Sequence, residues 1–170
     1  MRSILLAAAL VALAPALARA EDPWDLAKKG VGLSATGKLE KEINKRLLEE
    51  GHKNQCAFKS GTAELEKGCG PKADRLAKAL IDAKKKLNST GQKNFKFVVS
   101  GHTDSTGDAA TNKTLSAERA TVMVKQLVAK GVPASDIESV GMGAERPLEK
   151  PDDTPAKKAR NRRYEVQVKL

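Results

Sequence analysis

The chain has 170 residues and a mass of 18.2 kDa, with 31 Lys and Arg against 21 Asp and Glu and a formal charge of +10. That length suits one domain with short extras and excludes a large multidomain enzyme. Apolar residues make up 40% of the chain but are uneven: 16 of the first 20 positions are apolar, which leaves roughly 35% in the remainder, lean for a globular core.

Residues 1–20 therefore read as a separate object. Met1-Arg2-Ser3 is a short positive start, Ile4 to Ala14 is an unbroken apolar run, and Ala18-Arg19-Ala20 places small residues at the first and third positions of a cleavage site. This is the layout of a secretory signal peptide cut after Ala20, with a run too short to span a bilayer comfortably. The expected product carries +8, lacks a transmembrane segment and works outside the cytoplasm. Export argues against nucleic acid as the partner of the basic charge, as does the absence of basic stretches with interleaved aromatics. Anionic envelope polymers or lipid surfaces are the better general partners.

Residues 21–53 read as a leader. It is irregular to Gly37, then an amphipathic helix over Lys38–Glu50, with Leu39, Ile43 and Leu47 recurring every four residues and Gly51 ending it. This helix could pack on the domain, dimerise or dock an envelope partner through residues 38–50. The domain follows over 54–170. Gln55–Phe58 predicts a short strand, and Pro71 opens a helix to Leu87 with an inward stripe of Ala73, Leu76, Ala77, Leu80, Ile81 and Leu87. Phe95–Ser100 predicts a strand, followed by the polar loop Gly101–Gly107 and a helix over Lys113–Lys130. Ile137–Gly141 predicts a third strand, 143–158 a long Pro-containing loop, and Tyr164–Leu170 a last, alternating strand. The order β-α-β-α-β-β implies an α/β (α+β) two-layer sandwich: a mixed four-stranded sheet with helices on one face, its last strand antiparallel.

Cys56 and Cys69 form an even pair in an exported chain, which argues for a disulfide worth about 3 kcal/mol in the chain-entropy reading. The competing reading is a metal site using His52, Cys56, Cys69 and His102. The chemistry-bearing stretch is the loop after the second strand. It leads into a helix N-terminus, an arrangement that offers backbone N–H groups to an anion. Asp104 lies in that loop and Arg119 on the helix it enters, so the two can face one pocket. Such a pair could hold a zwitterion, Asp104 taking an ammonium and Arg119 forking onto a carboxylate, or form a plain salt bridge clamping the loop. A catalytic alternative would use His102 as a base with Asp104, but no nucleophile, H-E-x-x-H helix or G-x-S-x-G elbow accompanies them.

Several ordered motifs now converge. They are Val99-Ser100-Gly101-His102-Thr103-Asp104-Ser105-Thr106-Gly107, then Asn112, Leu115-Ser116 and Arg119-Ala120. Gly141-Met142-Gly143-Ala144-Glu145-Arg146-Pro147, Asn161-Arg162-Arg163 and Phe58-Lys59-Ser60-Gly61-Thr62-Ala63-Glu64-Leu65 complete the set. Over roughly residues 54–170 the chain resembles the OmpA C-terminal-like family. The resemblance implies a non-catalytic module that binds peptidoglycan, linking cell wall and outer membrane or an envelope partner, without cofactor or metal. Its ligand would be the diaminopimelate of the stem peptide, with Asp104 on the ammonium and Arg119 on the carboxylate. Phe58 would line the pocket wall, Thr103 and Asn112 would shape the loop, and Arg162 or Arg163 would close the site. Two positions depart from the family pattern: Lys59 replaces a frequent acidic residue, and Lys157-Lys158 stands where Gly-Arg is common. Both add positive charge at the expected rim.

Overall fold

The computed structural model describes residues 35–170, so the expected signal peptide over 1–20 and most of the irregular leader lie outside the described residues. The first helix, α1, spans Ala35–Lys53 and buries Ile43 and Leu47 of its predicted stripe, with Leu39 partly buried. It runs through Gly51 rather than ending there. The stop comes at Asn54, whose N–H reaches the Glu50 and Gly51 carbonyls at 3.1 and 3.2 Å, while its side chain donates to the Glu50 carbonyl at 2.9 Å. The helix α2 (Cys69–Ser89) carries Pro71 in its first turn, where a missing N–H costs nothing, and buries Ala73, Leu76, Ala77, Leu80 and Leu87. Strand β1 (Lys96–His102), helix α3 (Ala109–Ala129), a 3₁₀ turn (Ala134–Asp136), strand β2 (Ile137–Gly143), helix α4 (Pro155–Asn161) and strand β3 (Tyr164–Lys169) follow. The expected long loop after β2 thus contains a short helix, started by Thr154, whose hydroxyl accepts from the Lys157 N–H, with Pro155 in its first turn.

The strands lie in the order β2-β1-β3, with β1 and β2 parallel and β1 and β3 antiparallel. Among the described residues the sheet has three strands, not four. The predicted strand Gln55–Phe58 contributes only an isolated antiparallel pair, Phe58 with Leu65. The reason lies at the outer edge of β3, where side-chain amides occupy the backbone groups a fourth strand would need. Asn44 of α1 donates to the Val168 carbonyl at 3.0 Å and accepts from the Val168 N–H at 2.6 Å. Gln55 donates to the Tyr164 carbonyl at 2.7 Å and accepts from the Tyr164 N–H at 3.3 Å. An unpaired strand edge invites association, and here two amides and a helix cover it. The apolar face of α1 is thereby used inside its own domain.

Side chains alternate across the sheet. Phe97, Val99, Ile137, Tyr164, Val166 and Val168 join Leu47, Leu76, Leu80, Leu87, Met123 and Leu127 in one buried cluster. Helix α3 lies directly on the strands because glycines permit it. A Cβ at Gly101 would overlap the Ser116 carbonyl, and one at Gly141 would sit 2.6 Å from both the Ala117 nitrogen and the Lys113 oxygen. This close seating carries the buried polar stripe of α3, Asn112, Ser116 and Arg119, to the carboxyl end of β1. No helix among the described residues is long and apolar enough to cross a membrane.

Candidate functional site

A cavity of about 730 Å³ opens beyond the carboxyl end of β1. Open α/β sheets tend to place ligand crevices there, because loops diverge from strand ends and helices begin. Three walls build it: the turn over 57–66, the loop after β1 with the first turns of α3, and the C-terminal half of α4. Phe58, Thr103, Asp104, Asn112, Arg119 and Arg162, all named from the sequence, line this one cavity.

Asp104 sits two residues past the end of β1 and is largely buried. The Thr106 N–H donates to its Oδ1 at 2.9 Å, a turn that the loop sequence favours. Its Oδ2 accepts from Arg162 Nη1 at 2.7 Å. Burial opposes ionisation of Asp104, but the hydrogen bonds from Arg162 and Thr106 outweigh it and hold the carboxyl below its ordinary range. The loop is tied on both sides. Asn112 donates to the Thr106 carbonyl at 3.0 Å, and Asp152 accepts from the Ser105 N–H at 2.8 Å, from the Ser105 hydroxyl, and from Asn161 at 3.1 Å. These Ser105 and Asn161 hydrogen bonds pull the Asp152 carboxyl down to about 2, so it holds the loop as an anion.

Arg119 shares a helical face with Asn112 and Leu115, spaced three and four residues apart. Its Nε donates to the Thr62 carbonyl at 2.9 Å, and its guanidinium carbon lies 5.1 Å from the centre of the Phe58 ring. A cation over an aromatic face is attracted by the ring quadrupole and held flat. Burial and the positive charge of Arg162 push the Arg119 pKa down, and Asp104 pulls it partly back. The ion pair of Asp104 is therefore with Arg162. Arg119 stands near it with Nε committed and its terminal amino groups making no hydrogen bond among the described residues. The α3 N-terminus, expected to offer N–H groups to an anion, is capped by its own Asp108, which accepts from the Thr111 N–H at 2.9 Å.

Arg163 lies elsewhere. It is buried, pairs with Glu165 at 2.7 Å and donates to the Arg146 carbonyl at 3.1 Å, so only Arg162 of the two expected arginines lines the cavity. Consecutive residues entering a strand point to opposite faces, which separates them. His102 belongs to β1 rather than to the loop and does not line the cavity with Asp104. Its Nε2 is 3.3 Å from Ser100 Oγ and 4.0 Å from Glu165, on the side of the sheet shared with Arg163. Burial, with the charges of Arg163 and Arg146, pushes its pKa down to about 3, so the ring is neutral. Cys56 and Cys69 form a disulfide with Cα atoms 5.0 Å apart, which removes both from the competing metal set.

Lys158, expected at the rim, lines the cavity and donates to the Thr106 hydroxyl at 2.9 Å. The sequence reading passed over Glu66, which lines the turn wall. Asp152 anchors the loop from a position 47 residues beyond Ser105, a separation no local pattern signals. Thr103 is buried with an Oγ1 that makes no hydrogen bond among the described residues.

Comparison with known proteins agrees with this architecture. The peptidoglycan-binding protein ArfA of Mycobacterium tuberculosis is 40% identical over 73 residues, which cover 43% of this chain and 22% of ArfA. The chain thus spans about a fifth of the length of this relative. The periplasmic domain of Helicobacter pylori MotB superposes with a TM-score of 0.55 at 23% identity, covering 68% of this chain and 70% of that one. The peptidoglycan-associated lipoprotein of Burkholderia pseudomallei does so at 0.53 and 23%, covering 68% and 89%. At such identities these structures establish the shared fold. The family model for the OmpA family matches residues 57–162, the stretch that contains every wall of the cavity, and the chain belongs to the OmpA family.

Proposed function

We propose that this protein is a non-catalytic peptidoglycan-binding module of the bacterial cell envelope, working in the periplasm. Its ligand is the diaminopimelate of the stem peptide. The ammonium sits against Asp104, and the carboxylate on the same carbon is forked by the free ends of Arg119. The observation that carries this reading is that an ionised Asp104 carboxylate and the uncommitted terminal amino groups of Arg119 line one cavity. A zwitterion satisfies both, and charge-assisted, bidentate contacts discriminate it from neutral side chains. The names of ArfA and of the Burkholderia lipoprotein, both tied to peptidoglycan, support the same class. The cavity presents charge and hydrogen bonds but no activated nucleophile, which favours binding over hydrolysis.

Co-sedimentation with purified sacculi tests the reading. The wild type should sediment, and Asp104→Ala and Arg119→Ala should each lose binding by about 2–5 kcal/mol with the fold intact, because each leaves its ligand charge unpaired. Unchanged sedimentation of both variants would overturn the assignment. Binding that only fades with salt and tolerates both changes would instead mark a charge-driven adaptor for anionic envelope surfaces.

A further inference from the structure

The wall that orients Arg119 is weakly built. Between Cys56 and Cys69 the chain makes a small turn-back with one bridged pair, Phe58–Leu65. Its backbone bonds are Lys59 N to Glu64 O at 2.9 Å, Thr62 N to Lys59 O at 3.1 Å and Glu66 N to Ala57 O at 2.9 Å. Gly61, with φ of 69°, turns its tip, and the Lys59–Glu64 ion pair is exposed. A hairpin of this size is marginal by itself in water, and exposed ion pairs add little. Yet this hairpin supplies both contacts that fix the Arg119 guanidinium, the Thr62 carbonyl and the Phe58 ring. Its two ends are joined by the disulfide, whose sulfurs belong to buried residues. One end, Cys56, is also held by the Tyr164 hydroxyl, and the other opens α2.

From this we propose that the Cys56–Cys69 disulfide is a positioning element for Arg119. It keeps the 57–68 hairpin closed, so that Thr62 and Phe58 hold the guanidinium flat with its free ends toward the cavity. Without it the sheet and helices remain, but the hairpin opens and Arg119 loses its orientation. Asp104 is unaffected, because its partners Thr106 and Arg162 belong to other walls. The disulfide thus governs recognition of the ligand carboxylate and not of the ammonium, an assignment of ligand groups that rests on the function proposed above.

The experiment compares the wild type with the double variant Cys56→Ser/Cys69→Ser on two probes. One is a muramyl tripeptide ending in diaminopimelate; the other is the same fragment with the carboxylate beside the free ammonium converted to a carboxamide. The wild type should prefer the acid by about tenfold or more, and the double variant by less than about threefold. Simple loss of stability scales both affinities by the same folded fraction and leaves their ratio unchanged. Arg119→Lys with the disulfide intact should also flatten the ratio, which shows that the ratio reads this side chain. A double variant that keeps the wild-type ratio overturns the proposal. A second measurement needs no ligand: the Arg119 Nε proton, bonded to Thr62, should exchange slowly in the wild type and fast in the double variant by NMR. Slow exchange in both overturns the proposal. A wild type that does not discriminate the probes refutes the assigned carboxylate contact, while the exchange measurement still decides whether the disulfide positions Arg119.

Discussion

Thr103 and His102 are neighbours with opposite tasks, and each makes a test at the scale of a single residue. The Thr103 hydroxyl is buried at the cavity wall and makes no hydrogen bond among the described residues. Replacing it with the isosteric Val removes an unsatisfied group, so Thr103→Val should melt at the wild-type temperature or slightly above it. Binding of the muramyl tripeptide should weaken about five- to tenfold, the worth of one hydrogen bond to a ligand. Equal binding in a titration would show that the hydroxyl plays no part in recognition. His102 is neutral in the fold, with a pKa of about 3, whereas the unfolded chain takes up that proton near 6.5. The folded pKa is depressed, so its stabilising term is fully present above about pH 6.5 and is lost as the pH falls toward 3. Inside that window the loss approaches about 1.4 kcal/mol per pH unit. Urea denaturation between pH 7 and 5 should show this slope in the wild type and a flatter one in His102→Asn.

Elements explain why these residues meet. The hydrophobic period predicts α2 and α3 well because both bury one face in the core; of the predicted α2 stripe, Ala73, Leu76, Ala77, Leu80 and Leu87 are buried and Ile81 partly so. The ends are harder to read: α3 begins four residues before its predicted start because Asp108 caps it, and α1 runs through Gly51 because Asn54 stops it. The closeness of α3 to β1 and β2 depends on Gly101 and Gly141, and the site depends on that closeness, since the same helix carries Asn112 and Arg119. Gly141→Ala should cost about 3 kcal/mol by forcing backbone against backbone, seen as a drop of several degrees in Tm. An unshifted Tm would mean that α3 has room to move. The predicted first strand failed for a reason no strand propensity contains: the amides of Asn44 and Gln55 already serve the edge of β3.

For the whole molecule, α1 is part of the domain and not an appendage, although the family match begins only at residue 57. A chain starting at Asn54 would lose the burial of Ile43 and Leu47, about 1.5–3 kcal/mol each, and uncover the Val168 edge. It should melt at least about 10 °C below the 35–170 chain and aggregate with rising concentration, measurable by calorimetry and light scattering. An equal melting temperature would show that α1 contributes nothing to the fold. From the amino-acid sequence alone come the order α1, α2, β1, α3, β2, β3, the cysteine pair, and the loop that carries Asp104 with the helix that carries Arg119. These are legible because helical and strand periods, turn formers and motif spacings act over a few residues. Only the tertiary structure decides that the sheet has three strands among the described residues, that Arg162 pairs with Asp104, that Arg163 turns away, and that Asp152 anchors Ser105. The Asp152–Ser105 and Arg162–Asp104 contacts join residues 47 and 58 positions apart, and Asn44 closes the β3 edge at Val168 from 124 positions away; the free energy that selects them comes from burial and hydrogen-bond satisfaction across the whole core.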